Sequence, residues 1–369
     1  MLSSREVSGP GLARRRNTPT VSAFRHSQTR DGDTRWGQTP DSACEARKGG
    51  VALPWVVGAP PYVIERPRNH LGNGTMSRSK FYSPVDWDEI EKLRGEFKCA
   101  SRTGSGIEGV SVEIDAVPLV PVRVNGEGPF SMIFETGHRG YMLTDCIGAQ
   151  FGLAQDDKRM VGLETFSIGD TCWHGMRFGL DDTEGLTNFL DRRIDGLLGN
   201  LFWMLQCVTP TLDYPGQRLY ISPTADAVPP NAYTDWVPME ILGFCPFVPV
   251  MINGQGPFRF HIDTGAGPCL LSETAAKKIG LALGEPCTLR GTLINDPARH
   301  ATVESLSVGG VEIHDLPVKV SLATLLIERN IKCNVDGAIG TSFLKHFAAT
   351  FDYCGERFGL AGGCHRNLG

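Results

Sequence analysis

The sequence contains no uncharged apolar run approaching the roughly 18 residues a membrane-spanning helix needs. Val51 to Val63 comes nearest, but it holds three prolines and lies far from the first residue, so neither a span nor a secretion signal is expected there. Arg14, Arg15 and Arg16 resemble a twin-arginine start, yet polar residues follow them, which reads as a solvated basic cluster. Net charge is −5, with no basic footprint for nucleic acid or an anionic membrane. The 11 cysteines include no C-x-x-C pair and no Cys/His ladder, so neither a disulfide framework nor a metal site is expected. Reduced thiols point to the cytoplasm as the expected compartment. No P-loop, H-E-x-x-H, G-x-S-x-G or EF-hand pattern occurs. Gly104, Gly106 and Gly109 fit G-x-G-x-x-G, but no strand is expected before them and a strand, not a helix, is expected after, which is the wrong setting for a dinucleotide.

Gly and Pro, by contrast, are abundant. The chain of 369 residues has 44 Gly and 24 Pro, with 41% hydrophobic and 21% charged residues. This composition favours a turn-rich β protein with a sizeable core. Residues 1–105 differ from the remainder. Rich in Arg, Ser, Gly, Thr and Pro, they lack a sustained apolar period and are expected to be a disordered extension. A short helix near 84–97 is expected within it, with Ser83 as cap, Pro84 at the first helical position and Asp86 in the first turn. Met76 just before it is an expected alternative start. Asn73 to Thr75 would be a glycosylation sequon only in a secreted chain.

An internal repeat organises the rest. Val120 to Ala154 recurs 128 positions later as Val248 to Ala282 without a gap, with 14 identities over 35 positions. In each copy, alternating apolar residues lead to Asn125-Gly126 or Asn253-Gly254, a dipeptide that favours a tight hairpin. A second strand, 130–134 or 258–262, then delivers an acid followed by Thr and Gly: Glu135, Thr136, Gly137 and Asp263, Thr264, Gly265. A helix capped by Thr144 or Ser272 should end at Gly152 or Gly280. Further on, Asp195 to Gly199 matches Asp336 to Gly340, and Thr211 to Tyr214 matches Thr350 to Tyr353. The expected domains are lobe 1 at 106–222, a Pro-rich linker at 223–235, lobe 2 at 236–362 and a tail at 363–369.

A strand ending in acid-Thr-Gly, a capped helix, and a later apolar-apolar-Gly turn resemble the retropepsin-like aspartic proteases. The resemblance runs from about Gly109 to Leu360 and is fullest in the second copy, with Asp263, Thr264, Gly265, Ala266 and the turn at Ala338, Ile339, Gly340. It implies an all-β fold with short helices, built as two closed barrel-like lobes with one active site between them. Retroviral members assemble that site from two chains; this sequence carries both halves. It also implies that Glu135 and Asp263 are the catalytic pair, that the Thr136 and Thr264 hydroxyls bond across the lobes, and that Asp195 and Asp336 satisfy nearby loop N–H groups. Ala266 resembles the retroviral type and implies activity nearer neutral than strongly acid pH. No cofactor is implied, and the implied partner is an extended polypeptide. The expected state is a monomer, the alternative being a dimer that pairs Asp263 with Asp263.

Paired carboxylates about 3 Å apart cannot both ionise, so they share a proton and can act together as acid and base. Gly137 and Gly265 let backbone N–H groups approach them. Lobe 1 departs from the family in having Glu135, longer by a methylene of about 1.5 Å, and a misplacement near 1 Å can cost on the order of 100-fold in rate. His138 and Arg139 replace Ala266 and Gly267; a cation pointing inward would favour an ionised Glu135. Lobe 2 is longer by 12 residues between Ala282 and Gly309 than lobe 1 between Ala154 and Gly169. Arg290 to Ala301 is therefore a candidate flap, with Arg290, Gly291 and Thr292 as substrate-contacting candidates and Gly291 as hinge. An ordinary surface hairpin is the alternative. His261 reads as a packed or surface residue, Cys269 as a small core residue, and Asp213 and Asp352 as turn formers. The expected function is aspartic endopeptidase, the alternative a peptide-binding relative that has lost the reaction.

Overall fold

The computed structural model describes residues 86–362, apart from 107–108, 226–234, 292–294, 325–327 and 329–332. The expected extension through residue 85, most of the linker, Thr292 and the tail 363–369 lie outside the described residues, as do Ser83 and Pro84.

Each repeat folds as the patterning dictates. Strands Pro118–Val124 and Glu127–Phe134 form the first hairpin, and Cys245–Ile252 and Gln255–Ile262 the second. Asn125 and Gly126 take φ of 50° and 81°, and Asn253 and Gly254 50° and 70°. Two successive positive φ values match the right-handed twist of the flanking strands. The helix Asp145–Gln150 starts where Thr144 Oγ1 accepts from Ile147 N at 3.2 Å; Glu273–Lys278 starts where Ser272 Oγ accepts from Ala275 N at 3.0 Å. Both end before a glycine at positive φ.

In lobe 1 the strands 118–124, 127–134, 196–198, 141–144, 171–181 and 160–168 pair in that order, and the last returns to the first. Lobe 2 repeats the ring with 245–252, 255–262, 337–339, 269–271, 311–321 and 295–308. Closure hides the strand edges and wraps each ring around its own side chains. A six-stranded sheet joins the halves. Its order is Asp235–Pro238, Arg357–Ala361, Ala348–Asp352, Thr209–Asp213, Arg218–Ser222, Val110–Ser111, three strands from each half. At the junction Thr211 faces Thr350, their hydroxyls 2.9 Å apart. Asp213 and Asp352 accept from Gly216 N and Gly355 N, both at 2.9 Å, and so hold the turns that follow.

Three expectations need correction. The helix is Trp87–Phe97, capped by Asp86, whose Oδ1 accepts from Asp88 N at 3.0 Å and Glu89 N at 3.4 Å. A carboxylate cap suits the positive helix end, so the helix starts there and not at Pro84. Nor does the folded body begin at 106. Ile90 is fully buried, worth roughly 1.5–3 kcal/mol, and Trp87 Nε1 donates to Glu356 at 2.9 Å. Finally, a strand does precede the glycine pattern: Ser101–Thr103 pairs with Thr171–Asp181. A short strand, Val110–Ser111, follows, with no helix between among the described residues. Among the described residues, no helix is long and apolar enough to cross a membrane.

Candidate active site

The two acids leave corresponding strand ends. Parallel pairing with Gly196–Leu198 and Gly337–Ile339 fixes each end, where Glu135 N donates to Leu198 O and Asp263 N to Ile339 O, both at 3.0 Å. Asp195 and Asp336 brace the same strands by accepting from Ser131 N and Arg259 N, both at 2.9 Å. Behind the acids the lobes interlock. Thr136 Oγ1 donates to Ile262 O at 2.8 Å and accepts from Thr264 N at 3.0 Å; Thr264 Oγ1 donates to Phe134 O at 2.7 Å and accepts from Thr136 N at 2.9 Å. Both threonines are fully buried, so water cannot replace these four bonds.

This exchange brings Glu135 and Asp263 into hydrogen-bond contact. Glu135 Oε1 accepts from Gly137 N at 2.7 Å, and Gly265 N also donates to this carboxyl. Asp263 Oδ1 accepts from Gly265 N and Ala266 N, both at 3.0 Å. The pair is not symmetric. A Cβ added at Gly137 would lie 2.6 Å from Asp263 Oδ1, whereas one at Gly265 would lie 1.7 Å from Glu135 Oε2. The extra methylene of Glu135 carries its carboxyl over Gly265, into space only a glycine leaves open. Loss of hydration raises the Glu135 carboxyl well above the usual carboxylate range; the neighbouring Asp263 charge adds to the rise and the Gly137 N–H opposes it.

His138 supplies no cation to this pair. Its Nδ1 accepts from Gly140 N at 3.1 Å, folding the ring onto its own loop, and burial lowers its pKa. His261 is buried, stacks on Phe247 with centroids 5.1 Å apart, and donates from Nε2 to Thr136 O at 3.2 Å. It therefore touches the opposite lobe's acid loop, a role its alternation on the strand did not reveal. Cys269 is buried and accepts from Gly340 N and Ser342 Oγ, both at 3.4 Å; burial raises its thiol pKa.

One further residue was missed from sequence. Asn200, fully buried, donates from Nδ2 to Thr136 O at 2.9 Å and His138 O at 3.0 Å. Its Oδ1 accepts from Tyr353 OH at 2.6 Å, a contact from the other half. The only sequence signal was its place directly after Gly199, where lobe 2 has Thr341 after Gly340. Arg290 ends the strand Pro286–Arg290 and pairs with Asn295, the first residue of the strand Asn295–Val308. This hairpin lies in the stretch by which lobe 2 exceeds lobe 1, and its first strand is an edge of the lobe 2 sheet.

Residues 248–343 match the family model described as aspartyl protease. The match spans the lobe with the full Asp-Thr-Gly motif. Among solved structures, the chain is similar to a retropepsin-like aspartic protease from Rickettsia conorii, at 20% identity over 34% of this chain and 88% of that one, TM-score 0.25. It is also similar to an aspartic proteinase from Irpex lacteus, at 12% identity over 73% of this chain and 99% of that one, TM-score 0.46. Comparison with curated proteins finds no match.

Proposed function

We propose that the chain is a retropepsin-like aspartic endopeptidase working with a Glu135/Asp263 pair. The observation that carries the reading is the contact between the two carboxyls, with the Glu135 carboxyl shifted towards its protonated form. Two carboxyls in contact hold one proton between them. Glu135 keeps it, and Asp263 is the base. A water between the carboxyls attacks the scissile carbonyl carbon. Asp263 takes the water's proton, and Glu135 donates its own to the carbonyl oxygen as the tetrahedral intermediate forms. An extended polypeptide lies between the lobes and pairs its backbone with the edge of the hairpin 286–290, in the manner of β-strand addition. Arg290 and Gly291, at the end of that strand, serve as the flap; Thr292, the third candidate, lies outside the described residues. One chain supplies both acids, so the working unit is a monomer.

The test is cleavage of a mixed peptide library by the wild type and by Asp263→Asn, read by mass spectrometry from pH 4 to 8. Cleavage by the wild type alone supports the reading, and no cleavage by folded wild type rejects it. A second reading, a peptide-binding protein without hydrolysis, draws on the position of Glu135 over Gly265. Glu135→Asp separates the two: cleavage gained only with the shorter acid shows that the native residue holds the reaction off.

A further inference from the structure

Nine described cysteines are thiols, and two of them, 147 positions apart, come together away from the acids. Cys207 follows the helix Asn200–Gln206 and takes φ of 51° at its C-cap. Cys354 occupies the turn between Ala348–Asp352 and Arg357–Ala361. The thiols hydrogen-bond to each other. Arg94, on the helix Trp87–Phe97, is aimed at them: its Nη2 donates to Cys354 Sγ at 3.3 Å and to Met204 O at 2.8 Å, and its Nε donates to the same carbonyl at 3.2 Å. The guanidinium side chain is only 11% exposed, so its position is fixed by packing. Cys354 is exposed and Cys207 half-buried, so a small solute reaches both.

The thiols differ in kind. Cys354 donates to Cys207, and with the Arg94 and Lys98 charges this outweighs burial and lowers the Cys207 thiol to about 6. The same hydrogen bond raises the Cys354 thiol. A low-pKa, accessible thiolate beside a second thiol is the arrangement of a redox-sensitive pair. Cys269 and Cys245 contrast with it, since burial pushes both thiols up, Cys245 to about 12.

We propose that Cys207 and Cys354 form a reversible disulfide when the protein meets a hydroperoxide, with Cys207 as the attacking and Cys354 as the resolving thiol. The Cys207 thiolate attacks the peroxide, the O–O bond breaks, and Cys207 becomes a sulfenic acid as hydroxide leaves. Cys354 then attacks that sulfur, the S–O bond breaks, and the thiol proton leaves with the oxygen as water. Peroxide takes up the two electrons that the two thiols lose. The new bond fastens one end of the helix Asn200–Gln206 to the hairpin turn that carries Tyr353. Asn200 at the other end already accepts from Tyr353 and holds the acid loop of lobe 1. Oxidation thus adds a covalent tie alongside that hydrogen bond.

The test uses the full reduced chain, treated with a slight excess of hydrogen peroxide and digested without reductant. The expected result is loss of two hydrogens in intact mass, one linked peptide pair joining Cys207 to Cys354, and full reversal by dithiothreitol. Cys207→Ser and Cys354→Ser should each abolish the link, and in Cys354→Ser dimedone should trap the sulfenic acid at Cys207. Gain of oxygen without a linked pair, a link through other cysteines, or dimedone capture elsewhere in Cys354→Ser would each overturn the proposal. None of these readouts depends on peptidase activity.

Discussion

Replacing Gly265 with Ala tests the asymmetry of the acid pair most directly. The new Cβ would stand 1.7 Å from Glu135 Oε2, 2.6 Å from its Cδ and 2.8 Å from Oε1, where non-bonded contacts do not fall below 3.0 Å. The carboxyl would have to retreat by about 1.3 Å, the difference between 3.0 and 1.7 Å. It cannot retreat freely, because Oε1 is held by Gly137 N at 2.7 Å. Overpacking costs about 1–3 kcal/mol and the lost hydrogen bond about 1 kcal/mol, so a destabilisation of about 2–4 kcal/mol is expected. Glu135→Asp shortens the side chain by about 1.5 Å, slightly more than the required retreat. In the double variant most of the loss should return, as a coupling of about 1–3 kcal/mol. Gly267→Ala is the control, since nothing lies within 4 Å of its added Cβ. Urea unfolding of the four variants and the wild type gives every term, whether or not the protein cleaves peptides. A Gly265→Ala protein as stable as wild type, or a double variant with no recovery, would refute the placement of Glu135. If the proposed activity holds, Gly265→Ala should also lower kcat/KM on the order of 100-fold, as a displacement near 1 Å implies.

Two other expectations follow from the same region. Glu135 binds its proton more tightly when folded, so its contribution to stability is complete below the ordinary value of 4.5 and is lost as pH rises towards the folded pKa. The wild type should therefore lose Tm relative to Glu135→Gln as pH is raised above 4.5, and a difference of the opposite slope in melting curves would contradict this. Asn200→Ala removes three buried hydrogen bonds: those to the Thr136 and His138 carbonyls, which keep His261 Nε2 and the residue 200 backbone N–H, and the one from the Tyr353 hydroxyl, which loses its partner. Three lost bonds at about 1 kcal/mol each, with the hydroxyl left unpaired, should cost well over the roughly 1–2 kcal/mol of Tyr353→Phe, which removes one bond. Equal costs in urea unfolding would mean that Asn200 does not hold the loop.

Much of this arrangement was readable because the chain states it twice. Two copies of strand, Asn-Gly turn, strand and acid-Thr-Gly fix the hairpins and place Glu135 against Asp263, since turn chemistry and period-two burial are local properties. Contacts depending on distant partners left weaker traces. Trp87 and Arg94 look like ordinary residues of a short helix until the fold lays them against Glu356 and Met204. The cap moved from Ser83 to Asp86 because a carboxylate meets two N–H groups there. Asn200 starts a helix whose counterpart in the second copy starts at Thr341, and one polar residue replacing another carries no sign of three buried hydrogen bonds. His261 was read by alternation within its own lobe, whereas its partner, Thr136 O, belongs to the other.

The six-stranded sheet bears on how the two halves stay together. Thr209–Asp213 and Ala348–Asp352 are hydrogen-bonded to each other through their backbones, so separating the halves would bare a strand edge on each and return every one of those groups to water. Chain continuity is then not what keeps the acids opposed. A protein nicked between residues 222 and 235 would keep its junction sheet, its threonine exchange and its Asn200–Tyr353 bond. It would persist as a two-fragment complex with one complete pair of carboxyls.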